Sequence, residues 1–99
     1  MKYRWPFDDP ENVATITTKD IIERTKQIKY VSHDDEDGMW QFHSGELVKE
    51  EDGRIVSLQE IIIIDPTVME LVHLPLGWIA IRDNINDKWK RINKQKTYE

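Results

Sequence analysis

The sequence contains no cysteine, which excludes disulfide bonds, thiolate metal sites and cysteine nucleophiles. A domain of 99 residues without disulfide bonds is typical of a reducing compartment. Glycine is also scarce, with 4 residues spread singly along the chain, so no glycine-rich phosphate-binding loop can be built. The longest apolar run, the isoleucines at 61–64, is far shorter than the roughly 20 residues that span a bilayer. No apolar segment follows the charged N-terminus, so we expect no signal peptide and a cytoplasmic protein.

Acidic residues outnumber basic residues, with 19 Asp and Glu against 14 Lys and Arg and a formal net charge of −5. Most of the excess lies in the body of the chain, whereas the segment after residue 84 is basic. Because binding of nucleic acid relies on neutralising phosphates, the acidic body argues against a nucleic-acid ligand. We interpret the basic end as a solvated terminus rather than an anion-binding surface.

The chain divides into an N-terminal arm, one domain and a short tail. Residues 1–12 form the arm, in which Pro6 and Pro10 oppose a helix and hold the chain extended. The three aromatic residues of the arm occupy alternating positions, and they either pack against the domain or remain available to bind a partner. Residues 13–92 form a single domain, because this length supports one modest core. Residues 93–99 are expected to be a frayed polar tail.

Apolar and β-branched segments predict five strands. They cover residues 13–17, 28–32, 39–44, 78–82 and 88–92. Between the second and third strands an acidic turn ends at Gly38, which is free to adopt a positive φ. In the third strand Trp40 and Phe42 share one face with Ser44, and we expect this face to be buried.

Three helices are predicted between these strands. One covers residues 19–26, capped by Thr17 or Thr18. Ser57 followed by Glu60 is a capping box that predicts a second helix over 58–63, although four consecutive isoleucines are equally typical of a buried strand. The third begins at Asp65-Pro66, with Asp as the N-cap and Pro in the first helical position.

This order of elements predicts an α+β fold. Because hairpins dominate it, we expect a mostly antiparallel sheet of about five strands with two or three short helices packed on one side. The acidic connection over residues 45–53 is not predicted to contribute a strand.

The sequence contains no recognisable pattern of catalytic or metal-binding residues. His33, His43 and His73 lack the short spacings of metal ligands, so we expect no metal site and no cofactor. His43 is interpreted as an exposed strand residue and His73 as lying near a helix C-terminus. Ser44-Gly45 lacks the frame of a nucleophile elbow. The sequence therefore favours a protein that is not an enzyme.

Two acidic segments and one tryptophan are the candidate partner-binding residues: Asp34, Asp35, Glu36, Asp37, Glu50, Glu51, Asp52 and Trp89. The first segment lacks the spacing of a calcium loop and is interpreted as a solvated hairpin turn. The functional alternative is that this turn and the 46–52 stretch, which contains the second segment, form one acidic surface that steers a basic protein toward the domain. Trp89 lies between two lysines and is a candidate for a partner surface, because tryptophan is frequent among the residues that dominate protein interfaces. Packing within the domain is the alternative, and favoured, role of this side chain.

From Val13 to Ile92 the chain resembles a bacterial family of small uncharacterised domains that are grouped with immunity proteins of polymorphic toxin systems. The residues that carry the resemblance are Ala14-Thr15-Ile16-Thr17, Gly38-Met39-Trp40-Gln41-Phe42-His43-Ser44-Gly45-Glu46, Asp65-Pro66 and Leu74-Pro75-Leu76-Gly77-Trp78. The W-x-F-x-S-G-E stretch is the most specific of these. The resemblance implies a cytoplasmic protein that binds and blocks a toxin, and it marks no individual site residue.

We therefore expect a non-enzymatic protein-binding domain of the immunity type, whose partner is a basic toxin. The alternative function is a regulatory or scaffold module, for which self-association through the aromatic residues is one version. For either function the sequence leaves the oligomeric state of the protein open between monomer and weak dimer. A third hypothesis is an enzyme that uses His43 near Ser44, which would require activity lost in His43→Ala with the fold intact.

Overall fold

A computed structural model describes residues 4–94, which form a six-stranded sheet and several short helices. The strands are β1 (Ala14–Thr18), β2 (Tyr30–His33), β3 (Trp40–His43), β4 (Gly53–Ser57), β5 (Trp78–Ile81) and β6 (Lys90–Asn93). The α-helices are α1 (Lys19–Ile22) and α2 (Leu58–Ile64), and 3₁₀-helices cover Glu50–Asp52 and Pro66–Leu71. The predicted α+β class is confirmed by this content.

The strands lie in the order β4-β1-β3-β2-β5-β6. β1 runs parallel to β3, with Ile16 beside Gln41, and the other neighbouring pairs are antiparallel. The expected sheet of about five mostly antiparallel strands was therefore wrong in detail, because the sheet is mixed and has six strands. Because β1 pairs with β3, β3 lies between β1 and β2, although β1 and β2 are consecutive in the sequence.

The strand that the sequence did not predict is β4. It contains only two good strand formers, Ile55 and Val56, between Gly53 and Ser57. Its extended conformation is stabilised by antiparallel pairing with β1 along all five residues, from Ala14 opposite Ser57 to Thr18 opposite Gly53. A strand that depends on a partner distant in sequence leaves little local signal.

The capping box at the start of α2 forms as predicted. The Ser57 Oγ accepts a hydrogen bond from the Glu60 N–H at 3.1 Å. Leu58, Ile61 and Ile62 are buried on one face of the helix. The helical interpretation of this segment is therefore confirmed, and the alternative of a buried strand is wrong.

The other two helices are shorter or tighter than predicted. α1 ends at Ile22 instead of continuing to residue 26, because Arg24 adopts a left-handed conformation with a φ of 63° and turns the chain away. The Asp65 carboxylate caps the next segment by accepting from the Thr67 N–H at 3.0 Å. Pro66 occupies the first helical position as expected, but the segment is a 3₁₀-helix.

The sheet has a covered face and an open face. On the covered face, Trp40, Phe42 and Val31 pack in one core cluster with apolar residues of the helices. This core also contains Ile21 of α1, so the helices lie on one side of the sheet as predicted. No helix packs on the opposite face, among the residues that the structure describes.

The arm lies against the body along its described part, residues 4–12. Phe7 is buried, and its ring meets that of Trp40 edge to face with centroids 5.6 Å apart. Residues 1–3 of the predicted arm lie outside the described part of the chain. The predicted tail, 93–99, is corrected at its start because Asn93 is the last residue of β6; residues 95–99 lie outside the described part.

Candidate functional site

The acidic turn between β2 and β3 is a tight loop at one end of the sheet. The Asp34 N–H donates to the Met39 carbonyl at 2.8 Å, and the Gly38 N–H donates to the Asp34 carbonyl at 2.8 Å. Gly38 has a φ of 75°, as its position in the turn predicted. The next three acids are exposed, namely Asp35, Glu36 and Asp37. The loop therefore presents carboxylates to solvent on a short, well-anchored frame.

The N-terminal arm brings further carboxylates to the same end of the sheet. The Asp9 carboxylate accepts a hydrogen bond from Trp40 Nε1 at 2.8 Å, directly beside the turn. Asp8 and Glu11 flank it and are exposed. We define the acidic end as the following residues: Asp8, Asp9, Glu11, Asp34, Asp35, Glu36 and Asp37. Sequence reasoning missed the arm's contribution, although its acids and its aromatic anchor Phe7 were visible.

The second acidic segment, Glu50–Asp52, lies at the opposite end of the sheet. It leads into Gly53, which pairs with Thr18 at the C-terminal end of β1. The acidic turn instead precedes Trp40, which lies beside the N-terminal half of β1 because β1 and β3 are parallel. The expectation that both segments form one acidic surface is therefore wrong.

Trp89 is not available to a partner in this fold. Its side chain is 6% exposed, and the Arg82 guanidinium carbon lies 3.9 Å from its ring centroid. The two lysines beside it in sequence are exposed, so the indole alone turns inward. Our interpretation of Trp89 as an interface residue is corrected: its ring covers a buried cation and packs in the core.

Arg82 is the centre of a buried polar network. Its guanidinium forms an ion pair with Asp65 at 2.7 Å and donates twice to the Ile28 carbonyl, from Nε at 3.1 Å and from Nη2 at 2.9 Å. The remaining nitrogen donates to Thr67 Oγ1 at 2.9 Å and to the Ile85 carbonyl at 3.2 Å. These contacts join Arg82, the residue that follows β5, to the start of the 3₁₀-helix over Pro66–Leu71 and to two loops, so the network is structural.

The open face of the sheet carries a continuous row of side chains across all six strands. Pairing places them in the order Ile55, Ile16, Gln41, Ser32, Ile79 and Ile92. Beside this row, His43 faces Tyr30 from the neighbouring strand. Ile55 is 72% exposed, and the inner members of the row are less exposed. The open face is therefore apolar at its edges and polar at its centre.

His43 belongs to a hydrogen-bonded chain on this open face. Its Nε2 lies 2.9 Å from Gln41 Oε1, and Gln41 Nε2 donates to the Asp34 carboxylate at 2.7 Å. The expectation that His43 is exposed was wrong, because the ring is partly buried and its Nδ1 has no hydrogen-bond partner. Ser44 Oγ accepts instead from the Glu46 N–H at 3.4 Å. His43 and Ser44 are thus engaged with different partners.

Burial lowers the pKa of His43 below its ordinary value, and the Asp34 carboxylate opposes this shift. The unfolded chain therefore takes up a proton here before the folded chain does as pH falls. We expect His43 to destabilise the fold progressively below about pH 6.5, where an unperturbed histidine titrates. Histidine NMR titration should give His43 a pKa below that value, and His43→Gln should remove this part of the pH dependence in urea melts. A His43 resonance that titrates above it would contradict the assignment.

Neither metal binding nor membrane insertion finds support in residues 4–94. In that part of the chain no group of three His, Cys, Asp or Glu side chains is arranged to hold a metal ion. No helix described there combines the length and the apolar character that are needed to cross a bilayer.

The described chain is an α+β domain with a six-stranded mixed sheet, an acidic end and an open face. Comparisons with protein-family models, with curated proteins and with solved structures find no match.

Proposed function

We propose that this chain is a non-enzymatic protein-binding domain of the immunity type, which binds and neutralises a basic toxin in the cytoplasm. The observation that carries the proposal is the acidic end, where carboxylates from the arm and from the β2–β3 turn converge. The resemblance of the central W-x-F-x-S-G-E stretch to immunity proteins agrees with this function. A toxin that acts on nucleic acid presents a cationic active site, which such a surface would complement.

The placement of these carboxylates suits rapid recognition of a cation-rich partner. They lie on a rigid loop and on an arm anchored by Phe7, so few side chains need to be ordered on binding. Neighbouring carboxylates sum their potentials at an approaching partner, and salt screens this potential over a Debye length of roughly 8 Å at physiological ionic strength. Binding through this surface is expected to be fast and sensitive to salt.

Affinity capture tests the proposal directly. The full chain is immobilised, exposed to lysate of its native organism, and washed first at low and then at high salt. We expect one basic protein to be retained at low salt, to be released at high salt, and to be toxic when expressed without this chain. Co-expression of the chain should restore growth. A retained protein that is acidic or harmless, or that salt does not release, would contradict the proposal.

The second candidate function is a regulatory or scaffold module that self-associates. The aromatic residues expected to mediate it do not favour it, because Trp40, Phe42 and Trp89 are buried. One other observation does: Ile55 is 72% exposed on the edge strand β4.

A further inference from the structure

The two edges of the sheet differ in how they are protected. An edge strand exposes unpaired backbone N–H and C=O groups, and proteins guard such edges with lysine, proline or bulges. The β6 edge is protected by positive charge, because Lys90 and Arg91 are exposed on the strand and Lys88 and Lys94 flank it. This edge repels another strand of the same kind.

The opposite edge, β4, carries no comparable protection. Its only charged side chain is Arg54, whose Nη1 folds back onto the carbonyls of Glu51 and Gly53 at 3.0 and 2.9 Å. The strand contains no proline and pairs with β1 without interruption. Its exposed large hydrophobic side chain is Ile55, at the middle of the strand. The Gly53 N–H donates to the Glu50 carbonyl and the Gly53 carbonyl accepts from Arg54, so β4 offers a nearly uncharged template for strand addition centred on Ile55.

We propose that two copies of this chain pair through β4, antiparallel to one another, about a twofold axis that passes beside Ile55. The two six-stranded sheets then form one continuous sheet. The row of open-face side chains that ends at Ile55 continues into the same row of the second copy, which brings the two isoleucine side chains into contact and reduces their exposure to water. This inference does not depend on the proposed function, because the acidic end is not part of the pairing.

The charge on β4 selects this register and favours a second copy as the occupant. With the axis beside Ile55, the two Ile55 residues lie opposite each other, Arg54 lies opposite Val56 of the second copy, and Gly53 lies opposite its Ser57. A shift that centres the axis on Arg54 would bring two guanidinium groups face to face, which is unfavourable. A shift toward Val56 would place Ile55 opposite serine. The sequence of β4 is thus complementary to itself in one register.

The guarded edge explains why pairing would stop at two copies. A twofold interface uses the same patch on both partners and closes on itself. After β4 is paired, the edges left within residues 4–94 of each copy are the two β6 strands with their exposed cations. The expected product is a dimer rather than a filament.

Sedimentation equilibrium of the full chain tests the dimer. We expect a concentration-dependent dimer near ~100 µM, where complexes of micromolar affinity are populated. Ile55→Lys should raise the dissociation constant at least about tenfold, because it places two ammonium groups opposite each other. Leu76→Lys is the matched control, since Leu76 is 49% exposed and remote from β4, and it should leave the dimer intact.

Mixing variants tests the register as well as the surface. Ile55→Glu alone should weaken the dimer as Ile55→Lys does, but an equimolar mixture of Ile55→Lys and Ile55→Glu should form a heterodimer that is tighter than either homodimer. Because the chain has no cysteine, Ile55→Cys should form a single disulfide across the axis under mild oxidation, whereas Leu76→Cys should not. A wild-type chain that stays monomeric, or a dimer unaffected by Ile55→Lys, would overturn the proposal.

Discussion

Replacing Arg82 with methionine is expected to lower the free energy of unfolding by about 3–5 kcal/mol, the largest effect of any single substitution we predict. Methionine preserves most of the side-chain volume, so the loss comes from the charge and its hydrogen bonds. The Asp65 carboxylate, 5% exposed, would remain buried without its cation. The Ile28 carbonyl would lose both of its guanidinium donors. Leaving buried polar groups unsatisfied costs more than the intact pair contributes.

Urea denaturation of the two proteins measures this difference. Arg54→Met is the matched control: Arg54 is exposed, its hydrogen bonds go to neighbouring carbonyls, and the change should stay within about 0.5 kcal/mol. Asp65→Asn and the double variant complete a cycle, in which the double loss is smaller than the sum because the two groups share one interaction. An Arg82→Met protein as stable as the wild type would show that the network contributes little.

Reversing three charges at the acidic end is expected to weaken binding of the toxin about 100-fold at low salt, or roughly 3 kcal/mol. The changes are Asp8→Lys, Asp35→Lys and Glu36→Lys, all at exposed positions. Asp37 is left unchanged because its carboxylate accepts from the Met39 N–H at 2.9 Å and shapes the turn. Most of the loss should appear in the association rate, since steering acts before contact.

The second acidic segment provides the control for this experiment. Substituting Glu50, Glu51 and Asp52 with lysine changes the net charge by the same amount at the opposite end of the sheet. If docking occurs at the acidic end, this variant should bind far better than the first. Equal losses would indicate a general effect of net charge, and a larger loss in the control would move the docking surface to that end. Binding should be measured at two salt concentrations, because the difference between variants shrinks as salt rises.

The candidate site illustrates which features a linear pattern can predict. The acidic turn was recognised because the run from Asp34 to Gly38 contains its own turn chemistry. Asp8 and Glu11 lie at the same end of the sheet as this turn because a long-range hydrogen bond joins Trp40 to Asp9. The inward rotation of Trp89 depends likewise on Arg82, whose buried charge is stabilised by residues far away in sequence. Neither contact has a signature in the residues beside it.

The sequence by itself determined those structural features whose physical cause lies within a few neighbouring residues. Ser57 caps a helix through the Glu60 N–H, Asp65 caps the segment opened by Pro66, and Gly38 permits the turn. The alternation of Trp40 and Phe42 determined which face of β3 is buried. These outcomes depend on local hydrogen bonds, allowed φ values and the period of a strand.

The tertiary structure alone decided how the strands are arranged and what that arrangement brings together. β1 lies parallel to β3 rather than beside β2, and β4 is extended because β1 supplies its partner. Those pairings separate the two acidic segments, partly bury His43 and leave Ile55 on a free edge. The physical reason is that strand pairing is selected by the packing of a whole face of the sheet. Each residue contributes only a small part of that packing energy, and the residues next to it in sequence do not indicate which strand it will pair with.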